Sequence, residues 1–105
     1  MDTKKYNKVI RDKIPEIIAD SGKKYTLKQL DDVLFLADLE KKLIEEVNEY
    51  TKSKDVEELA DLLEVIYRIS ELRGINSNEL DEIRQDKAEK RGKFASNLFL
   101  IDAEK

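Results

Sequence analysis

One proline and three glycines are all that interrupt the backbone of this chain of 105 residues. Those two residue types are the strongest helix breakers, so their scarcity leaves long stretches free to be helical. Each of the four also sits where a helix should begin or end. Pro15 suits the first turn of a helix through IPEIIAD, and Gly22 follows it. Gly74 follows DVEELADLLEVIYRISELR, and Gly92 follows NELDEIRQDKAEKR. Asp55 with Glu58, and Asn76 with Glu79, have the spacing of N-terminal capping boxes. The pattern predicts four helices, over residues 13–21, 31–52, 55–73 and 77–91, in one all-α domain spanning 1–105. Thr26 offers a rival start for the second helix, but KYTLKQL alternates like a strand, which favours a start at Asp31. The tail FASNLFLI is also strand-like, so short extended segments near 24–30 and 94–101 are candidates for pairing with each other. The connection at Lys52-Ser53-Lys54 is short, so helices two and three should form an antiparallel hairpin.

A chain of this length has room for one modest core. Charged residues make up 42% of it with both signs mixed, and the net charge of −4 gives no general attraction to nucleic acid or an anionic membrane. No apolar run approaches the roughly 20 residues that span a bilayer. The stretch MDTKKYNKVIRDK has no signal-peptide core, so a cytoplasmic protein is expected. With no cysteine there is no disulfide, thiolate nucleophile or zinc ribbon. With no histidine there is no Ser-His-Asp triad and no imidazole ligand. A bound metal would therefore be held by oxygen, which favours Mg²⁺ or Mn²⁺.

Two acidic clusters flank the expected hairpin turn, Glu45-Glu46-x-x-Glu49 and Glu58-x-x-Asp61. Leu36, Leu39, Leu43, Val47 and Tyr50 recur at helical spacing and define the buried stripe of helix two. At about 100° per residue, Glu46 lies beside that stripe, Glu49 one step further round and Glu45 on the opposite side. Glu46 and Glu49 are three residues apart, as are Glu58 and Asp61, so each pair can reach one point. The hairpin would bring both pairs to the same end. Four such carboxylates would repel one another, and two divalent cations would match their charge. Plainer roles stand beside this one. Glu58 can serve as the capping partner of Asp55, and Glu49 can pair with Lys52 or Lys54. Glu40 also points into the helix-two stripe, with two roles open to it: bonding a buried arginine or supporting a ligand.

Helix four carries the opposite charge. Leu80 and Ile83 set its inner face, with Arg84, Lys87 and Arg91 on nearly the same side. Lys87 and Arg91 stand one turn apart, a spacing suited to phosphate oxygens, unless Asp86, Glu89 or the acids of helix three take them up. The chain has no GxxxxGK[ST] loop, which excludes a P-loop nucleotidase.

The EExxE…ExxD arrangement of Glu45, Glu46, Glu49, Glu58 and Asp61 resembles the signature of the MazG-like all-α nucleoside triphosphate pyrophosphohydrolases. The opening YNKVIRDKIPEII and the closing KAEKRGKFASNLFL look like the phosphoribosyl-ATP pyrophosphohydrolase-like branch, extending the resemblance from Tyr6 to Leu100. The resemblance implies a four-helix bundle completed by oligomerisation, as a homodimer or homotetramer. It implies metal ligation of Mg²⁺, or Mn²⁺, by Glu46, Glu49, Glu58 and Asp61, with Glu46 or Glu49 as the catalytic base. It further implies substrate contacts from Lys87 and Arg91, and from Arg11 and Lys13 in the N-terminal motif. The expected reaction is Mg²⁺-dependent hydrolysis of a nucleoside triphosphate or related nucleotide to the monophosphate and pyrophosphate. True phosphoribosyl-ATP hydrolysis and a non-catalytic, nucleotide-binding or regulatory helical dimer are the alternatives.

Overall fold

Four helices form, and every end falls within one residue of the expectation. The computed structural model describes residues 2–105. In chain order, α1 spans Ile14–Asp20, α2 Asp32–Ser53, α3 Val56–Leu72 and α4 Ser77–Arg91. The caps explain the precision. Asp31 accepts a hydrogen bond from the Leu34 backbone N–H at 2.9 Å and starts α2, which removes Thr26 as a rival. At α4 the capping box is complete: Asn76 accepts from the Glu79 backbone, and Glu79 accepts from the Asn76 backbone. Gly74, at φ +88°, ends α3 with its N–H donated to the Glu71 carbonyl. The turn between α2 and α3 is tighter than a glycine-free sequence suggests, because Lys54 itself adopts the left-handed conformation, at φ +59°.

One expected box is only half made. Asp55 caps α3 by accepting from the Glu57 N–H, and the Glu58 backbone N–H bonds to the Asp55 carbonyl. The Glu58 carboxylate does not return the bond, which leaves it available elsewhere.

The extended pairing of 24–30 with 94–101 does not form, and no strand occurs among the described residues. Alternation marks a segment with two unlike faces, but a strand exists only when another backbone meets its N–H and C=O groups. Here neither segment finds one.

The packing centre is the α2–α3 hairpin; α4 lies against α3 and not against α2. Among the described residues, Leu39 of α2 and Val65 of α3 are the two buried hydrophobic side chains, at 5% and 7% exposure. Much apolar surface remains uncovered, including Ile44, Val47, Leu59 and Leu63 on the hairpin and Phe94 and Leu98–Ile101 in the tail. The exposed area is 10028 Å², against about 6,100 Å² for a compact monomer of this mass. The radius of gyration is 18.5 Å, where about 13 Å is usual for this length. A single copy is an open rod, not a closed bundle. No helix is long and apolar enough to cross a membrane.

Candidate metal centre

The hairpin turn brings the end of α2 alongside the start of α3, and this juxtaposition builds the site. Glu46 comes from α2; Glu58 and Asp61, one turn apart, come from α3. One carboxylate oxygen from each lies within 4.8 Å of the other two. Glu46 is the deepest, its side chain 12% exposed, while Glu58 and Asp61 are half-buried.

The donor set can be weighed against an ion. Mg²⁺ holds oxygens at about 2.1 Å in an octahedron, which puts neighbouring ligands about 3.0 Å apart and opposite ones about 4.2 Å apart. The three oxygens, within 4.8 Å of one another, would have to close by up to about 1.8 Å to become neighbouring ligands of one ion, a distance within reach of rotamer changes in glutamate and aspartate. They would fill half of an octahedral shell and leave the remainder to water or phosphate. All donors are hard oxygens, so the residues fit Mg²⁺ or Mn²⁺.

Two of the three carboxylates already face a cation. Lys42, one turn earlier on α2, places Nζ 3.3 Å from Glu46 Oε1. Arg11 donates from Nη2 to Asp61 Oδ1 at 2.6 Å. Glu58 has neither an ion pair nor a hydrogen bond to its carboxylate among the described residues. Its pKa is raised above the ordinary carboxylate value, first by desolvation and then by the charges of Asp61, Glu46, Glu49 and Asp55.

Other residues singled out in the sequence fall around this cluster at varying removes. Glu49 is outside the group of three but near enough for its charge to act on Glu58. It makes no ion pair with Lys52 or Lys54; Lys54 instead places its ammonium over the Tyr50 ring. Glu45 is exposed and lines a cleft between α2 and residues 7–9, which Lys42 also borders. Glu40 receives Arg73 Nη2 on both oxygens, at the surface and not in the core. Lys13 is exposed at the start of α1. Lys87 and Arg91 are exposed on α4 and make no ion pair among the described residues. Asp86 is taken by Lys90, and Arg84 turns back to Asp81. Within one copy, no ion pair links α4 to the acidic cluster.

Sequence reasoning overlooked Lys42. Its signal was present, since a lysine four residues before Glu46 shares its helix face. That Arg11 would reach Asp61, fifty positions away, left no such local trace. No protein-family model matches the chain, and no curated protein or solved structure matches it.

Proposed function

We propose that this chain is a Mg²⁺-dependent nucleotide pyrophosphohydrolase that releases pyrophosphate and a nucleoside monophosphate. The observation carrying this reading is the convergence of Glu46, Glu58 and Asp61 from two helices, with Glu58 left unpaired and its pKa raised. Helix surfaces place acids near one another often, but a carboxylate set among three others without a counter-charge is repelled by them.

In this reading Glu46, Glu58 and Asp61 hold the ion. A divalent cation there supplies positive charge to phosphate oxygens and lowers the pKa of a bound water. Glu49, adjacent to the triad and free of ion pairs among the described residues, accepts the proton of the attacking water. Arg11, Lys13, Lys87 and Arg91 offset the charge of the phosphates and of the departing pyrophosphate. For Lys87 and Arg91 this role is best met in an assembly, where a second copy covers the open rod. The excess of about 3,900 Å² over a compact monomer is more than the roughly 800 Å² per partner of a standard interface. Ile44, Val47, Leu59 and Leu63 supply an apolar face for it. Light scattering should return twice or four times the chain mass.

A second reading has its own support. Arg11 on Asp61 and Lys42 on Glu46 already neutralise two of the three acids, as expected of a structural charge network in a non-catalytic dimer. Pyrophosphate release across deoxy-, ribo-, modified and phosphoribosyl nucleotides, with Mg²⁺ and with EDTA, tests the two. Metal-dependent release from any of them supports the enzyme and names its substrate class. Silence across the panel, together with no Mg²⁺ binding at millimolar concentration, leaves the charge network.

A further inference from the structure

Ahead of α1, residues 2–13 form no helix or strand, yet the segment is held against the hairpin. Val9 and Ile10 are half-buried there, between exposed neighbours. Asn7, Lys8 and Val9 form one wall of a cleft of about 260 Å³, and Asp38, Lys41, Lys42 and Glu45 of α2 form the other. The strap crosses α2 and ends with the Arg11 guanidinium on Asp61.

Adhesion is a poor account of that last contact. Both side chains are about half exposed, at 54% and 43%. An ion pair so exposed contributes about 0.2–1 kcal/mol, so the buried parts of Val9 and Ile10 do more to hold the strap. What the contact does control is access to one oxygen. Arg11 Nη2 lies 2.6 Å from Asp61 Oδ1, and a metal ligand must offer its lone pair at about 2.1 Å. Guanidinium and divalent cation repel each other there and compete for the same carboxylate. Lys42 differs, because it sits on the same helix as Glu46 and belongs to the wall of the site whatever else is bound.

We infer that Arg11 is a resident counter-ion for Asp61: it competes with the divalent cation, and cation binding releases its guanidinium from Asp61 while Val9 and Ile10 keep the strap in place. This rests on the triad being a metal site. The released guanidinium then stands at the edge of the site as a contact for an anionic ligand, a positioning role that the strap makes dependent on metal.

Calorimetric titration with MgCl₂ alone, without nucleotide, tests the inference on wild type, Arg11→Gln and Arg11→Lys. Arg11→Gln should bind Mg²⁺ roughly 2- to 5-fold more tightly, the factor that an exposed ion pair can impose. Arg11→Lys should stay close to wild type, since a cation still occupies Asp61. Limited trypsin digestion gives a readout that needs no variant: Mg²⁺ should speed cleavage after Arg11, whose side chain it frees, and leave cleavage after Lys8 unchanged. Equal or weaker Mg²⁺ binding by Arg11→Gln overturns the inference and leaves the metal site standing, as does wild-type cleavage after Arg11 unchanged by Mg²⁺. Absence of Mg²⁺ binding in all three proteins removes the metal site, and the inference with it.

Discussion

The two ends of the α2–α3 hairpin are both crossed by charged side chains, but the arithmetic differs. Far from the turn, Arg73 Nη2 donates to both oxygens of Glu40, at 3.2 and 3.3 Å. One acid meets one base, and the pair is neutral. Beside the turn, Glu46, Glu58 and Asp61 converge with Glu49 nearby, and only Lys42 and Arg11 answer them. Desolvation first, and then the charges of Asp61, Glu46, Glu49 and Asp55, raise the pKa of Glu58. Balanced charge is what stability alone would select. A surplus of one sign, held in place by folding energy from Leu39, Val65 and their neighbours, is the ground on which the proposed metal site rests.

The largest expected effect breaks the unbalanced end. Glu58→Gln should lower Mg²⁺-dependent pyrophosphate release by at least about 100-fold, the scale of losing one charge-stabilising group. It should leave the metal-free melting temperature unchanged or raised, because it removes a repelled charge. Activity within threefold of wild type would take Glu58 out of the site. Next in size is the ion itself: Mg²⁺ at ten times its Kd should stabilise the wild type by about 1.4 kcal/mol, read from urea melts. Glu58→Gln should show less at the same concentration. A stabilisation equal in both proteins would place the ion elsewhere.

Smaller effects belong to the balanced end. A double-mutant cycle on Glu40→Gln and Arg73→Gln should give a coupling of about 0.2–1 kcal/mol that shrinks at high salt. Pyrophosphate release should be unaffected; a loss there would erase the distinction between the ends. The finest test is pH. Because the folded Glu58 pKa lies above its unfolded value, the native state binds more protons between the two. Its contribution therefore costs stability as pH rises through that window, and the cost persists above it. Metal-free melts of wild type minus Glu58→Gln should show this falling trend, opposite to the usual carboxylate in an ion pair.

Much of the fold was legible in the residue order. Helix ends are set by local chemistry, as at Asp31, at Asn76 with Glu79 and at Gly74, so the boundaries could be read directly. The strand-like look of KYTLKQL and FASNLFLI misled because pairing needs a second segment, which alternation cannot supply. The candidate site was legible in its acids but not in its membership. Helical spacing put Glu58 with Asp61 and Glu46 with Glu49. The way α2 and α3 pack then brings Glu46 to the α3 pair and leaves Glu49 at the margin.

By itself, then, the sequence determined four helices, a hairpin and two acid pairs near its turn. Caps, breakers and three-residue spacing all act within about one helical turn, and neighbouring residues encode them completely. Only the tertiary structure decided that Arg11 closes on Asp61, that Glu58 forgoes its cap to stand without a counter-charge among the described residues, and that Lys87 and Arg91 are exposed on α4. Those outcomes depend on how separate elements pack, and a fifty-residue gap between partners leaves no periodic mark on the chain.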